Sequence, residues 1–454
     1  MIDTTPRRLA PGPTAPHRIP LNVKSVRGNA PAFFESLRRK FGDTVRMPVG
    51  IFTVTFAFHP DGVKHVLQEN NANYIRGVGY KAFKIFMGNG LLTTDGVDWR
   101  TRRRTVNPLF HRTAIDSMVT TMVDSTNEVM RRWEQPGGRA GDIIPEMMRI
   151  TLGALGEIMF DTDLELEQEQ VGVAMRVAIE AMVYRGTLPQ LLPAWVPFPS
   201  HRRTEHARET MYAIVGRIIE AHRTGSHANR PDLVNMLLSA TDDADQPTFT
   251  DDDIRDELMT IFMAGHETTG AGLAWALYEL AHAPDVQRRL YEETERVLGG
   301  RDPVTADLTD LVYTKQVTEE VLRLHPPIWV YPRQAVAEDE VNGWHVPAGE
   351  CVFMSPYVTQ RHPDFWVTPL RFDPDRFTEA AQHGRPKYAY FPFGGGQRKC
   401  VGEAMALTQM HLTLAMIVSR FEIEPVANTS TDLAIAVSLR PVGGIALRLV
   451  PRKS

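Results

Sequence analysis

The alternation of apolar and polar positions changes its period along this chain, and the changes mark out its elements. Spacing near the helical repeat predicts a helix over 30–41. Residues 44–48 and 51–57 then alternate around Val49-Gly50, as the arms of a hairpin do. Helical spacing resumes over 60–68 and dominates from about 100 to 298, broken by a proline-rich stretch at 188–199 and a polar one at 242–247. Strand-like runs return only late, at 346–357 and across 433–449, where Val437-Ser438-Leu439 and Ile445-Ala446-Leu447 read as short strands. The pattern predicts a mainly α fold with a small β portion. No repeat at a solenoid or propeller period and no low-complexity segment divides it. Residues 21–454 therefore read as a single domain behind a flexible lead-in of residues 1–20.

Composition alters this picture little. With 43% hydrophobic and 23% charged residues among 454, a large buried core is possible. A formal net charge of −5 argues against a protein devoted to phosphate backbones, so no nucleic-acid partner is expected. A membrane span needs about 18 apolar residues without charges. The most apolar stretch, 258–281, carries His266, Glu267 and Glu279, and residues 1–20 mix Asp3, Arg7 and Arg8 with prolines. The expectation is a cytoplasmic protein with no membrane anchor. Two cysteines, Cys351 and Cys400, are too few for a disulfide framework and fit a reducing compartment.

Candidate chemistry centres on Phe391-Pro392-Phe393-Gly394-Gly395-Gly396-Gln397-Arg398-Lys399-Cys400-Val401-Gly402. Glycines permit positive φ and let a flat ligand approach the backbone, and N–H groups in such a loop can point at a sulfur. A helical pattern follows over 403–418, which sets Cys400 before a helix N-terminus, where the dipole favours a metal-binding thiolate. A lone cysteine after a glycine-rich turn is more often an inert buried residue. Here, however, the pattern Phe-x-x-Gly-x-Arg-x-Cys-x-Gly is matched at every fixed position, and it resembles the haem-binding loop of the cytochrome P450 family. The resemblance implies a single P450-like fold enclosing a buried haem b. Cys400 would be the proximal iron ligand, Phe393 would pack near its sulfur, Gly394 and Gly402 would shape the loop, and Arg398 would pair with a haem propionate. A thiolate ligand pushes electron density to the iron and favours O–O cleavage, whereas histidine serves globins and peroxidases.

A second constellation, Ala264-Gly265-His266-Glu267-Thr268-Thr269-Gly270, lies on an apolar helix that begins at the capping signal Thr250-Asp251-Asp252-Asp253. Thr and Gly are poor mid-helix formers, and a hydroxyl that bonds the preceding turn can bend or open the helix. An opening here would admit dioxygen and water. Taken alone, the threonines fit plain helix packing equally well. The resemblance implies that Glu267 and Thr268 are the acid–alcohol pair that relays protons into the buried site. His266-Glu267 also begins the zinc pattern His-Glu-x-x-His, but Gly270 stands where the second histidine is required.

Glu320-Val321-Leu322-Arg323 places a carboxylate and a guanidinium on one helix face, ahead of a Leu-His-Pro-Pro stop. Such pairs are common on surfaces and worth under ~0.5 kcal/mol. With Phe372-Asp373-Pro374-Asp375-Arg376-Phe377 downstream, the resemblance implies a structural triad of Glu320, Arg323 and Arg376. Trp99 and Arg103 are four apart, and the resemblance assigns them and Arg333 to the haem propionates, which guanidinium forks suit. Arg100, Arg102 and Arg104 read as a solvated basic helix start and, with Lys399, as a docking face for an acidic electron carrier. By position in the family, the substrate pocket draws on Phe83, Phe86, Met87, Leu91, the segment 184–198, Phe262, Ala264, Ile328, Trp329, Val330, and 437–439 with Ser438. Cys351 matches nothing in the family and reads as a core residue of a strand.

The resemblance thus implies a monooxygenase that inserts one atom of O2 into an apolar small molecule, by hydroxylation or epoxidation. No dinucleotide fingerprint and no cysteine cluster is left to serve as an electron source, so a separate ferredoxin or flavodoxin with its NAD(P)H reductase is expected. An apolar pocket favours terpenoid, fatty-acyl or macrolide-like ligands. Soluble members of the family often serve bacterial specialised metabolism, which points to a terpenoid or polyketide. A fatty-acid hydroxylase stays open, as does a haem-thiolate peroxygenase, isomerase or non-catalytic ligand binder. The Glu267-Thr268 pair weighs against the last three.

Overall fold

The structure, a computed structural model, describes residues 8–14, 19–49, 52–134, 138–164, 170–174, 177–178, 199–225, 231–242, 244–427, 432–434 and 438–452. Its longer helices are α1 (Ile19–Phe41), α2 (Gly96–Val106), α3 (Arg112–Arg131), α4 (Ile144–Phe160), α5 (Pro199–Arg223), α6 (Asp251–His282), α7 (Pro284–Leu298), α8 (Val312–Leu324) and α9 (Glu403–Arg420). The expected mainly α fold with a small β portion is what is found.

Capping fixes where α6 begins. Thr250 Oγ1 accepts from the Asp253 N–H at 3.2 Å, and Asp253 Oδ2 accepts from the Thr250 N–H at 3.0 Å. Asp251, Asp252 and Asp253 add negative charge to the positive end of the helix. Over 32 residues α6 spans about 48 Å at about 1.5 Å per residue, and it is buried on nearly every side. Small residues let α4 pack directly on its backbone: a Cβ added at Gly265 would lie 2.8 Å from Leu155 Cδ1, and one at Gly270 2.8 Å from Met148 Sδ. Phe160 and Phe262 stack across the same interface with centroids 4.4 Å apart. Helices α5, α8 and α9 also pack on α6, α3 packs on α4 and α9, and the largest hydrophobic core lies among them.

Beside the helices stands a five-stranded sheet, ordered β1 (Thr44–Val49), β2 (Phe52–Ala57), β8 (Cys351–Met354), β5 (Tyr331–Ala335), β3 (Tyr74–Ile75). Strands β1 and β2 pair antiparallel with Val49 opposite Phe52, so the expected hairpin forms. Alternate residues of this sheet pack with α1 and Trp329 into a second core. Cys351 is buried there, as expected of a core strand residue, and burial pushes its thiol up to about 11. The hairpin of β6 (Asp339–Val341) and β7 (Trp344–Val346) lies outside it. A three-stranded sheet joins β4 (Arg139–Asp142), β12 (Ala446–Pro451) and β9 (Phe421–Pro425), and β10 (Leu433–Ala434) pairs with β11 (Arg440–Pro441).

Three expectations need correction. The lead-in is anchored in part: Arg46 N donates to the Pro11 carbonyl at 2.9 Å, His345 N donates to the Arg8 carbonyl at 2.9 Å, and Ala10 is buried. Residues 1–7 and 15–18 lie outside the described residues, and α1 begins at Ile19. Ser438 and Leu439 lie outside the strands, because the backbone of Leu439 is bonded elsewhere: its N–H donates to the Pro327 carbonyl at 2.9 Å and its carbonyl accepts from Trp275 Nε1 at 2.8 Å. The helix over 60–68 starts as expected but widens into a π-helical turn at His65–Glu69. No helix among the described residues is long and apolar enough to cross a membrane.

Candidate haem-thiolate site

The loop before α9 is closed by its own backbone. Cys400 N donates to the Phe393 carbonyl at 3.0 Å, and Gly394 and Gly396 take φ of 72° and 63°, in the left-handed region that glycine adopts without strain. A Cβ on Gly396 would fall 1.7 Å from the Leu67 carbonyl oxygen. Gly396→Ala is therefore expected to destabilise the protein by more than about 1 kcal/mol and to lower haem occupancy, measurable as a drop in melting temperature and in Soret absorbance per protein. Unchanged values would show that the loop tolerates a methyl group. Cys400 stands two residues before Gly402, the cap of α9. Its surface is open although protein surrounds it. Burial raises its thiol pKa, opposed by the Gly402 N–H and by Arg103 and Lys399, so the helix terminus alone does not ionise it. Binding a metal deprotonates such a thiol outright.

Contacts far along the chain hold this loop. Tyr331 OH donates to the Pro392 carbonyl at 2.6 Å, and Phe391 N donates to Gln360 Oε1 at 2.9 Å. Gln360 is tied in turn to the end of α8, where its Nε2 donates to the Leu322 and Arg323 carbonyls. Arg323 and Glu320 are fully buried and form a bidentate pair, Nε to Oε2 at 2.6 Å and Nη2 to Oε1 at 2.8 Å. Arg376 Nε lies 3.4 Å from Glu320 Oε1, which also accepts from the Asp373 N–H. The three residues of the triad read from the sequence thus lie together, and Arg323 donates to the Gln360, Pro369 and Arg371 carbonyls.

Across α6, the alcohol and the acid have different partners. Thr268 Oγ1 donates to the Ala264 carbonyl at 2.8 Å, and Thr151 Oγ1 donates to the His266 carbonyl at 2.8 Å. The expected opening of the helix is not seen: α6 is continuous, and hydroxyls bond its carbonyls without breaking it. Glu267 is buried and accepts from Ser438 Oγ at 2.5 Å, and Arg440 Nη2 lies 2.6 Å from the same oxygen. Ser438, expected in the substrate pocket, therefore serves the acid. Arg440 was missed because only a contact 173 positions away in sequence gives it meaning.

Of the other pocket candidates, Ala264 is exposed, while Ile328, Val330 and Phe83 keep partial exposure. Phe86, Met87 and Phe262 are fully buried in the main core, and Trp329 packs on Phe34 in the second core with centroids 5.6 Å apart, so these four are core residues. Of the segment 184–198, and likewise of Val437, nothing lies within the described residues.

Leu91 is held by α6. Its N–H donates to Glu257 Oε2 at 3.0 Å, and Asn89 N donates to Asp256 Oδ2 at 2.7 Å. Arg102, read from the sequence as solvated, is buried instead and pairs with Asp253 and Glu257. Burial pushes the Glu257 carboxyl up to about 7 from 4.5, against the pull of Arg102 and the Leu91 N–H. A carboxyl raised on folding stabilises the fold most below its unfolded value and loses that contribution as pH rises through the folded one. Glu257→Gln should therefore gain on the wild type between about pH 4.5 and 7, by at most ~3 kcal/mol at about 1.4 kcal/mol per pH unit, in urea unfolding at pH 5 and pH 8. A difference that stays constant with pH would exclude this titration.

A cationic cluster gathers at Trp99 of α2. Arg398 stacks on Trp99 at 4.0 Å, pairs with Asp95, and donates to the Thr94 carbonyl at 2.8 Å. Arg333 is buried beside it, and burial together with Arg76 brings its guanidinium down to about 10. Arg76 was not singled out from the sequence. It is buried, and its Nη1 donates to Tyr80 OH at 2.5 Å. Arg103 is bonded elsewhere: its Nη1 donates to the Lys399 carbonyl at 2.9 Å, on the cysteine side. A groove of about 380 Å³ runs along α2 past Arg100, Arg103 and Arg104 to His111. Arg100, Arg104 and Lys399 are exposed.

These features fit haem. The sulfur is open but enclosed, at the head of a helix, and buried guanidiniums include Arg76 Nε and Arg398 Nη1 without hydrogen-bond partners, suited to a ligand that carries carboxylates.

Comparisons agree with that chemistry. The sequence profile described as Cytochrome P450 matches residues 11–444. The chain is 32% identical over 424 residues to cyclooctatin synthase of Streptomyces melanosporofaciens, covering 93% of this chain and 91% of that protein. It is 32% identical to cyclooctat-9-en-7-ol 5-monooxygenase of the same organism, over 92% and 90% of the two chains. Pentalenene oxygenase of Streptomyces avermitilis is 30% identical, over 93% of each. The crystal structure of the cytochrome P450DA heme domain superposes with a TM-score of 0.88 over 98% of both chains at 24% identity, a likeness of fold. With its cysteine loop, Glu-Arg-Arg triad and family-wide match, the chain belongs to the cytochrome P450 family of haem b-dependent, haem-thiolate monooxygenases.

Proposed function

We propose that this monooxygenase hydroxylates or epoxidises a polycyclic terpenoid of bacterial specialised metabolism, in the cytoplasm and as one domain over 21–454. The observation that carries the substrate class is the similarity, over more than nine tenths of the chain, to relatives named for cyclooctat-9-en-7-ol and pentalenene. Apolar residues with open surface, Ala264, Ile328 and Val330, support it.

Haem supplies the activation of dioxygen, and the chain's residues do the rest. Cys400 binds the iron, and Phe393 holds the loop through the carbonyl that Cys400 N meets. Arg333 and Arg398 answer the propionates, with Trp99 beneath Arg398. Glu267 carries protons from the Ser438–Arg440 side towards Thr268. Arg440 and Ser438 hold one oxygen of that carboxylate between them. Glu267→Gln is accordingly expected to lower product formation about a hundredfold while NAD(P)H is still consumed and peroxide accumulates. Tight coupling in that variant would remove Glu267 from the relay. Electrons arrive from a ferredoxin or flavodoxin with its reductase, docked on the cysteine side at Arg100, Arg104 and Lys399. Arg102 drops out of that face.

The deciding experiment titrates the ferric protein with sesquiterpene and diterpene hydrocarbons and alcohols, fatty acids and macrolides. A terpenoid that shifts the Soret band and yields a product one oxygen heavier, with surrogate ferredoxin and reductase, is the expected result. Turnover of fatty acids alone would replace the terpenoid reading with fatty-acid hydroxylation.

A further inference from the structure

The cysteine loop leans on a part of the fold that carries none of the residues assigned so far. Against Gly396 lies the π-helical turn His65–Glu69. Such turns are rare and recur at functional sites. This one is held in shape from several directions. Lys64 Nζ lies 2.6 Å from Glu69 Oε1, and Asn71 Nδ2 donates to the Gln68 carbonyl at 2.7 Å. His65 Nε2 lies 2.9 Å from Asp339 Oδ2 at the start of β6, an oxygen that also accepts from Tyr74 OH at 2.6 Å. So anchored, the turn presses its Leu67 carbonyl into the space where a side chain on Gly396 would begin.

Tyr388 fills the angle between the turn and the loop. It is buried, and its ring lies so close to Gly395 that any Cβ there would overlap it. Its hydroxyl has two partners, accepting from the Gly396 N–H and donating to Gln68 Oε1 at 2.9 Å. A chain of bonds thus runs from the loop, through one phenol, to a side chain on the protein surface, since Gln68 is exposed. Gly396 opens the 3-10 turn Gly396–Arg398, and its carbonyl accepts from the Lys399 N–H at 3.2 Å, so the setting of this peptide fixes how the backbone arrives at Cys400. At the sulfur itself the N–H that answers is that of Gly402. The Gly396 amide is taken by Tyr388 instead. Hydrogen bonds to a metal-bound thiolate govern how much charge it passes to the iron, so which amides reach the sulfur matters to the chemistry.

We propose that Tyr388 and Gln68 are positioning residues for the thiolate: Tyr388 holds the Gly396 amide away from the sulfur, and Gln68, from the π-helical turn, orients Tyr388. The proposal rests on Cys400 being the iron ligand, and it asks neither side chain to touch the cofactor. Cutting this tether leaves a buried N–H without an acceptor, which is costly. The peptide is then free to turn towards the anionic sulfur four residues on. An additional N–H on the thiolate withdraws charge from the iron and favours its reduced state.

The test uses the haem-loaded protein with Tyr388→Phe, Gln68→Leu and Gln68→Glu, the last of which keeps an acceptor for the phenol. Hydrogen–deuterium exchange reads the loop amides, and Tyr388→Phe should speed exchange at Gly396 roughly tenfold, as loss of one hydrogen bond does. Resonance Raman of the ferric form reads the iron–sulfur stretch, and spectroelectrochemistry reads the ferric–ferrous potential; neither follows a general loss of stability. In Tyr388→Phe the stretch should fall in frequency and the potential should become more positive. Gln68→Leu should move both by less in the same direction, and Gln68→Glu should leave both at the wild-type values. An unmoved stretch and potential in Tyr388→Phe and Gln68→Leu would overturn the proposal, whatever the melting temperatures do. So would a Gln68→Glu protein shifted as far as Gln68→Leu, because the bond is claimed and not the shape of the side chain. If Tyr388→Phe takes up no haem, the two Gln68 variants decide on the same criteria. Failure of the haem-thiolate assignment would show separately, as a carbon monoxide complex of the wild type without the long-wavelength Soret band.

Discussion

Cys400→His yields no oxygenated product above background, even where the variant still takes up haem. The argument begins with the ligand atom. A thiolate donates charge to the iron and favours O–O cleavage, while imidazole leaves the reaction at reversible binding or peroxide chemistry. The loop cannot compensate. Its backbone is fixed by the Cys400 N to Phe393 carbonyl bond and by the Tyr331 and Gln360 contacts, so the longer histidine meets iron, if at all, from a path shaped for sulfur. Two measurements check this: the carbon monoxide difference spectrum, expected to lose its thiolate-type band, and product yield with surrogate redox partners. Retention of that band together with turnover would end the assignment of Cys400 as ligand.

Glu320→Ala is expected to purify with little haem and with stability lowered by about 3–5 kcal/mol. That is a large share of the ~5–15 kcal/mol that keeps a typical domain folded. Removing the carboxylate leaves the Arg323 guanidinium fully buried with carbonyls as its remaining partners, and Arg376 without a counter-ion at ion-pair distance. Arg323 also reaches across to the segment around Gln360, and Gln360 holds the Phe391 N–H, so the disturbance travels straight to the cysteine loop. Glu320→Gln, which can keep the bond from the Asp373 N–H but loses the charge, should fall between. Soret-to-protein absorbance and thermal unfolding provide the check. Full haem content with an unchanged melting temperature would mean that the triad is dispensable.

What the sequence disclosed was whatever chemistry is written in neighbouring positions. The Phe393 to Gly402 loop, the Glu320-Arg323 pair and the Thr250-Asp253 cap each lie within a dozen residues, and each is found where expected. Arg102 misled because its charge pattern with Arg100 and Arg104 is that of a surface helix, while its partner Glu257 lies 155 residues away. Ser438 misled for the same reason: its bond to Glu267 spans 171 residues and turns an apparent pocket residue inward. Arg76 and Arg440 were invisible because nothing local distinguishes a buried arginine from a solvated one. Strands β3 and β5 escaped notice since two and five residues, one run containing Pro332, give alternation too little length to register.

The glycines of α6 bear on how such a protein acquires new substrates. With Gly265 against Leu155 and Gly270 against Met148, the two helices are packed so closely that a single added methyl group would collide, and Phe262 is stacked on Phe160. Selection for a different ligand is thereby channelled away from the scaffold and onto side chains with free surface, such as Ala264, Ile328 and Val330. Lineages descending from this chain should diverge in what they oxidise long before they diverge in the spacing between these two helices.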